Sequence, residues 1–239
     1  LSGEDIVLDK ELFLYDIKAS IAHVHELKEI NILNISESKK IISSLNKLSK
    51  LFKENKFRLT TKYEDCHSAI EYFLSKELGP IGKKIHTGRS RNDQIMVAMR
   101  LYMREKLDEI QSLNIKITKS FIDKAEKHLL DPMPGYSHLQ RAMPSTWGMW
   151  FGAFAESFLD NSDLLLNLRS WININPLGTA AGYGVNLPIK RDISTKELNF
   201  ARKQLNGLYV QNSRGKFELE FVSSLKQPML DTRKFSWDM

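Results

Sequence analysis

The sequence predicts an all-α protein built around long helices. Apolar residues recur at intervals of three and four positions through most of the chain, as the buried face of an α-helix requires. No glycine or proline occurs between Gly88 and Pro132, so a single helix can extend through that stretch. We find no convincing strand pattern and no internal repeat. Together these observations predict a bundle of long helices preceded by a smaller helical N-terminal domain.

Three shorter amphipathic segments occupy the N-terminal third of the chain. The first extends to about residue 34 and carries an apolar stripe that includes Leu12, Ile17 and Val24. The second, between Ser36 and Lys62, contains eight Lys or Arg residues and two Glu residues, and this surplus equals the formal net charge of +6. Its lysines form the solvated face of an amphipathic helix. The third segment runs from Thr60 to Leu78. Because no aromatic interleaving or recognised module accompanies the basic charge, we expect no nucleic-acid partner.

Three long helical segments are predicted in the rest of the chain. The first runs from Asn92 to about Leu130 and would be about 57 Å long at 1.5 Å per residue. The second runs from about Ser145 to Asn173, and the third begins near Thr195 and continues to Met239. Such lengths indicate an elongated bundle or an oligomeric core. We therefore divide the chain into an N-terminal helical domain, residues 1–90, and a central long-helix bundle domain, residues 91–239.

The first candidate site is the segment His86–Gln94, HTGRSRNDQ, directly before the longest predicted helix. Ser90 and Asp93 stand in the S-x-x-D relation of a capping box. A helix start offers free N–H groups and a partial positive charge, which suit an anionic ligand. Arg89 and Arg91 add planar donor forks that match carboxylate or phosphate. The pattern is equally compatible with an ordinary helix cap flanked by solvated arginines.

A second polar cluster, Glu64, Asp65 and His67, lies at the start of the third segment. These residues could form an acid/base cluster, although polar residues at a helix start are more often caps and solvated charges.

The third candidate segment contains Ser137, His138 and Gln140, in a predicted loop between two long helices. An unperturbed imidazole pKa near 6.5 allows His138 to serve as acid or base at neutral pH, whereas a lone histidine in a loop is more often structural. The Gly-rich loop Pro176–Gly184 matches neither a Walker A pattern nor the dinucleotide fingerprint, so we expect no nucleotide there.

Several other classes of protein are disfavoured by the composition. The single cysteine, Cys66, excludes an internal disulfide framework and a multi-cysteine metal site. No pair of histidines has the H-x-x-x-H spacing, and we expect neither a metal nor a cofactor. No apolar run reaches the roughly 18 residues of a membrane span, and no signal pattern is present at the N-terminus. We expect a cytoplasmic protein without membrane contact.

The motifs resemble those of argininosuccinate lyases. HTGRSRNDQ looks like that family's signature, and the segment GYSHLQRAMP is similar to its GYTHLQRAQP. Three shorter segments also keep the family's order and approximate spacing over nearly the whole chain: DIKAS at Asp16–Ser20, EDCH at Glu64–His67, and PLGTAAGYG at Pro176–Gly184. The first motif is the most specific, because the related fumarases, aspartases and adenylosuccinate lyases carry different residues there.

The resemblance implies a long-helix bundle of the aspartase/fumarase superfamily type. It also implies reversible cleavage of argininosuccinate to arginine and fumarate by β-elimination, the last step of arginine biosynthesis. The enzyme would be a cytoplasmic homotetramer whose active sites gather segments from three subunits, without a metal or cofactor. By this analogy His138 is catalytic, and the substrate-binding residues are Ser90, Arg91, Asn92, Ser137, Gln140, Asp65 and His67.

Two departures from the family pattern limit the expected activity of this chain. The family's third signature, a mobile loop of the type GSSxMPQKKNP, has no counterpart before Met239. The family's substrate-contacting serine near the N-terminus aligns poorly with residues 1–9. We therefore expect the chain to be truncated and inactive by itself. A catalytically silent homologue with a structural or storage role is the main alternative to the lyase. A basic helical RNA-binding module is the third.

Overall fold

The computed structural model describes residues 5–239, which are mostly helical. Residues 1–4, part of the stretch with which the family's N-terminal serine aligns poorly, lie outside this range. The helices are α1 (Asp5–Leu8), α2 (Phe13–Glu29), α3 (Ile35–Lys53), α4 (Cys66–Leu78), α5 (Pro80–Lys83), α6 (Arg91–Lys127), α7 (Trp147–Ile172), α8 (Arg191–Glu197), α9 (Gly207–Asn212), α10 (Lys216–Ser224) and α11 (Lys226–Asp238), with a 3-10 turn at Lys84–His86. Strands β1 (Pro132–Ser137) and β2 (Gln140–Thr146) form an antiparallel hairpin, and β3 (Ile174–Asn175) and β4 (Arg202–Lys203) form a short parallel pair. The predicted all-α class is confirmed.

The chain divides into two compact units. The first contains the residues up to Arg104 together with Ile172–Gly215, and the second contains Glu105–Trp171 together with Lys216–Met239. Helix α6 contributes its first part to one unit and its remainder to the other. The proposed division of the chain into domains at residue 90 remains a prediction.

The core of the first unit forms where α2, α3 and α4 bury their apolar faces. On α3, Ile41, Leu45 and Leu48 are completely buried, whereas Lys39 and Lys40 are exposed. The predicted amphipathic helix with its lysines toward solvent is therefore present as far as the end of α3, and the last three basic residues of the segment follow that helix. The Asn34 side chain starts this helix by accepting a hydrogen bond from the amide of residue 37 at 2.8 Å.

The second unit is held together by an aromatic cluster. The ring of Phe121 on α6 lies 5.7 Å from that of Phe154 on α7 and 5.0 Å from that of Phe235 on α11. Asn114, also buried, donates to the carbonyl oxygen of Phe158 at 2.6 Å. Because a buried amide without partners is costly, this bond fixes the pairing of α6 with α7.

Two of the three long helices agree with the prediction, and the third does not. The bounds of helices α6 and α7 agree with those of the predicted segments to within about three residues. The expected continuous helix from Thr195 to Met239 is wrong, since this part contains α8, β4, α9, α10 and α11. Asn199 and Gly215 adopt positive φ values of 54° and 79°, and Asn206 caps α9, so the backbone turns at three places.

The expected loop around His138 is instead the β1–β2 hairpin. Strand pairing was not visible in the sequence because both faces of this hairpin are largely exposed, so no alternation of apolar and polar residues is required. A bulge lies between Pro134 and Tyr136. There a Cβ on Gly135 would approach the carbonyl oxygen of Met143 to 2.7 Å, which explains the glycine.

Among the described residues, we find no helix that combines the length and the apolar composition of a membrane-spanning segment.

Candidate functional site

The predicted capping arrangement is present at the start of α6. The hydroxyl oxygen of Ser90 accepts from the amide of Asn92 at 3.3 Å, and Oδ1 of Asp93 accepts from the amide of Ser90 at 3.0 Å. The serine thus caps the second helical amide, while the carboxylate closes the box. Asp93 is completely buried, whereas Ser90 and Asn92 are half-buried and Arg91 is exposed. The cap therefore leaves three polar side chains within reach of a ligand.

The second oxygen of Asp93 holds the Gly-rich loop. Its Oδ2 accepts from the amides of Gly178 at 3.0 Å and Ala180 at 2.9 Å. Both residues have positive φ, 83° and 49°, which turns their N–H groups toward one acceptor. One carboxylate thus joins the HTGRSRNDQ segment to the PLGTAAGYG segment.

Arg89 is directed into the protein. Its side chain is buried, and Nη1 donates to the hydroxyl oxygen of Ser20 at 2.8 Å. Burial lowers the pKa of this guanidinium, and the carboxylates of Asp16 and Asp93 oppose that effect. Of the two arginines in the motif, only Arg91 is exposed.

Arg91 connects the helix start to the EDCH segment. Its guanidinium forms ion pairs with Glu64 and, at 3.1 Å, with Asp65. The hydrogen bond to Glu64 is the main cause of a raised pKa for Arg91. Asp65 also caps α4, because its Oδ1 accepts from the amide of Ser68 at 2.6 Å. The two interpretations of this segment, a cap and a functional cluster, are therefore compatible.

His67 and Asp16 form a buried pair. Nδ1 of the imidazole donates to Oδ2 of Asp16 at 2.6 Å, and the Cys66 sulfur lies 3.7 Å from each of these atoms. Among the described residues these three donors could hold a metal ion. Burial, followed by the charge of Asp16, raises the pKa of the Cys66 thiol far above its ordinary value. This favours a protonated thiol, whereas metals bind the thiolate.

His67 gives a prediction for stability against pH. Burial alone lowers its pKa, but the charge and hydrogen bond of Asp16 more than compensate, so the pKa is raised above 6.5. The protonated pair thus stabilises the fold below the unfolded-state pKa near 6.5, and this contribution is lost as the pH rises through the folded-state pKa. His23 acts in the opposite sense, because burial lowers its pKa. The stability that comes from its buried neutral form is therefore lost at acid pH.

We expect the Tm difference between the native protein and His67→Gln to be larger at pH 6 than at pH 8.5. The comparison cancels the contribution of His23 to stability, because both proteins retain that residue. Thermal unfolding followed by circular dichroism measures the two Tm values. A difference that grows with pH would contradict the assignment of a raised pKa.

Arg214 is a residue of this site that the sequence did not indicate. Its Nη2 donates to Oδ1 of Asn92 at 2.8 Å and to the backbone oxygen of the same residue at 3.4 Å. The two residues are 122 positions apart in the chain. No local motif could have predicted this contact.

The predicted catalytic residue lies at the tip of the β1–β2 hairpin. His138 and Leu139 form its two-residue turn, with φ values of 51° and 62°, and Ser137 pairs with Gln140. All four residues are exposed. Positive φ at both turn positions matches a type I′ turn, for which Asn-Gly is the usual sequence. The turn geometry therefore does not explain why histidine and leucine occur here.

The predicted site residues are divided between the two units. Ser90, Arg91, Asn92, Asp65 and His67 belong to the first unit, and Ser137, His138 and Gln140 belong to the second. In the first unit, Arg91 contacts Asp65, and Asn92 contacts Ser90. In the second unit, Ser137 pairs with Gln140 across the hairpin.

The chain resembles known enzymes over its full length. It is 47% identical over 239 residues to an argininosuccinate lyase of Stenotrophomonas maltophilia (strain R551-3), covering 100% of this chain and 56% of the relative. It is 49% identical over 241 residues to an argininosuccinate lyase of Xylella fastidiosa (strain Temecula1 / ATCC 700964), covering 100% of this chain and 54% of the relative. The resemblance inferred from the motifs is confirmed, and the chain spans little more than half the length of these relatives.

Solved structures agree on the fold. An EDDS lyase in complex with formate is 26% identical, with a TM-score of 0.81 over 98% of this chain and 49% of that chain. A fumarate lyase:delta crystallin from Brucella melitensis bound to cobalt is 17% identical, with a TM-score of 0.83 over 100% of this chain and 57% of that chain, and it is informative about the fold alone. The model of a protein family described as Lyase matches residues 2–239, and the chain therefore belongs to the lyase family.

Proposed function

We propose that the full-length protein containing this chain cleaves argininosuccinate reversibly to arginine and fumarate, the last step of arginine biosynthesis. The observation that carries the proposal is the identity of 47 to 49% with argininosuccinate lyases along the whole chain. The HTGRSRNDQ motif lies at a capped helix start with three accessible polar side chains, which is a suitable place for a carboxylate-rich substrate.

The elimination requires a base, an acid and donors for developing negative charge. A base removes the proton from the carbon next to a carboxylate, the bond from the neighbouring carbon to the guanidino nitrogen breaks, and the nitrogen receives a proton. Charge that builds on the carboxylate must be stabilised by fixed donors. We assign Ser90, Arg91 and Asn92 to binding and orienting the substrate carboxylates.

The remaining roles follow the family analogy. His138 is the proposed catalytic residue, as proton donor, proton acceptor or polariser of a catalytic serine. Ser137, which supplies a hydroxyl, and Gln140 flank it at the hairpin tip. Asp65 and His67 are also proposed to contribute to substrate binding. The proposal includes neither a metal nor a cofactor.

Release of fumarate tests the function directly. The full-length protein should convert argininosuccinate with a rise in ultraviolet absorbance from fumarate, and arginine should appear in equal amount. Binding of argininosuccinate without any release of fumarate would instead indicate a catalytically silent homologue. The similarity to biosynthetic enzymes argues against that alternative.

The chain of residues 1–239 is expected to be inactive or nearly so when tested alone. It contains no counterpart of the family's third signature, to which the resemblance assigns a catalytic serine and lysine. The same fumarate assay measures this, with the full-length protein as the positive control. Robust release of fumarate by residues 1–239 would refute the expectation.

We also propose a cytoplasmic homotetramer whose active sites combine segments of three subunits. Exposed apolar side chains on the second unit support an oligomer, because surface of this kind is commonly covered by other chains. They include Leu113, Ile115, Ile117 and Ile122 on α6, Leu159, Leu164 and Leu166 on α7, and Leu219, Val222, Met229 and Trp237 on α10 and α11. Sedimentation of the full-length protein would determine the number of subunits. We propose no nucleic-acid partner, since neither aromatic interleaving nor a recognised module accompanies the basic residues.

A further inference from the structure

We propose that Arg214 is a positioning residue that sets the orientation of the Asn92 amide for binding a substrate carboxylate. This inference rests on the proposed function, since it concerns the same site. The observation that carries it is the pair of hydrogen bonds from Arg214 Nη2 to the side-chain and backbone oxygens of Asn92, at 2.8 and 3.4 Å. A residue remote in sequence thus contacts the helix start at the proposed substrate-binding position.

The contact selects one of two orientations of the Asn92 amide. A guanidinium has donors only, so it must face the amide oxygen, and the NH2 group must face the other way. In the structure that group donates to the hydroxyl oxygen of Ser90 at 3.3 Å. Since an NH2 group carries two hydrogens, one remains for an acceptor on the substrate. Arg214 therefore makes Asn92 a donor toward a carboxylate.

The backbone next to Arg214 is held in place. The buried hydroxyl group of Ser213 accepts from the Gln204 side chain at 3.1 Å and donates to the carbonyl oxygen of Val210 at 2.8 Å. The amide of Arg214 donates to the carbonyl oxygen of Gln211 at 3.2 Å. Because the side chain is exposed and its backbone is anchored separately, replacing Arg214 should alter the contact to Asn92 without unfolding the protein.

The test is a double-mutant cycle in the full-length protein. Arg214→Met keeps the aliphatic stem and removes the donors, and we expect it to lower kcat/KM for argininosuccinate about tenfold, the scale of one charged hydrogen bond. Arg214→Lys retains a donor and should recover most of that loss. In the Asn92→Ala background, Arg214→Met should change kcat/KM less than about twofold, because a residue that acts through Asn92 has nothing left to orient.

Arg202→Met is the matched control, since Arg202 is also an exposed arginine of the first unit. It should leave kcat/KM within about twofold of the native value. An equal loss from Arg214→Met in both backgrounds, or no loss in the native background, would overturn the proposal.

A neutron crystal structure of full-length Arg214→Met separates this proposal from the proposed function, because it distinguishes the oxygen of the Asn92 amide from the NH2 group and requires no activity. We expect the Asn92 side chain to leave its position or to occupy two orientations. An unchanged Asn92 side chain would show that Arg214 does not position it, whether or not the protein releases fumarate. Conversely, a displaced Asn92 side chain in the variant would retain the positioning role even if the native full-length protein released no fumarate, a result that would reject the lyase assignment.

Discussion

Replacing His138 with asparagine in the full-length protein is expected to lower kcat for argininosuccinate at least about a hundredfold, the scale of a lost acid or base group. The imidazole lies at the exposed tip of a two-residue hairpin turn. The side chain is therefore accessible to substrate, and its removal costs no core packing. Initial rates of fumarate formation over a range of substrate concentrations measure the effect.

Asparagine is the informative substitution because it preserves the turn. His138 has a φ of 51°, a conformation that asparagine tolerates better than most residues. A loss of activity can then be attributed to the imidazole and not to the backbone. His128→Asn, which removes a partly exposed histidine paired with Asp131 in the same unit, should retain activity within about twofold. Near-normal kcat in His138→Asn would contradict the catalytic assignment.

The long-range architecture was largely predictable because it depends on local periodicity. The absence of glycine and proline together with helical apolar spacing predicts α6, and apolar residues at helical spacing predict α7. The prediction failed where tertiary contacts decide the backbone. Between Asn199 and Gly215 the chain turns at positive φ and at a cap, whereas apolar spacing alone favours a continuous helix. The exposed β1–β2 hairpin was not predicted for a related reason, since it lacks a buried face that would impose an alternation of apolar and polar residues.

The candidate site shows the same division between local and remote information. The Ser90–Asp93 box was predicted because both partners lie within four positions of each other. The contacts of Asp93 with Gly178, of His67 with Asp16 and of Arg214 with Asn92 join residues 85, 51 and 122 positions apart. Such contacts depend on how the unit folds, which no spacing rule reveals.

These remote contacts give Asp93 a larger role than a helix cap. Its carboxylate joins two of the motifs that the sequence singled out, because one oxygen accepts from Ser90 and the other from Gly178 and Ala180. It lies close enough to Arg89 and Arg191 to oppose the lowering of their pKa by burial. The geometry of the Ser90–Asn92 segment therefore depends on a buried charge that does not itself reach the surface.

Asp93→Asn is expected to reduce both activity and stability strongly. The side-chain amide of asparagine has one oxygen and one NH2 group. In either orientation the NH2 group therefore faces a backbone N–H group that donated a hydrogen bond to the carboxylate. Either the half-buried amide of Ser90 or the buried amides of Gly178 and Ala180 then lose their acceptor, which costs about 1 to 3 kcal/mol for a buried amide. Loss of the charge adds to this cost. Because Ser90 and Asn92 would lose their fixed geometry, we expect kcat/KM to fall at least about a hundredfold.

Two measurements in the full-length protein separate the structural and functional parts of this effect. Urea denaturation gives the loss in free energy of unfolding. Hydrogen exchange should become faster either at the amide of Ser90 or at those of Gly178 and Ala180, depending on which side of the asparagine carries the NH2 group. Asp123→Asn is the matched control, because Asp123 is an exposed aspartate on the same helix, and it should change neither quantity appreciably. Unchanged exchange at all three amides would show that the Asp93 carboxylate does not hold these segments. Normal kinetics despite faster exchange would show that the lost Asp93 contact is not needed for catalysis.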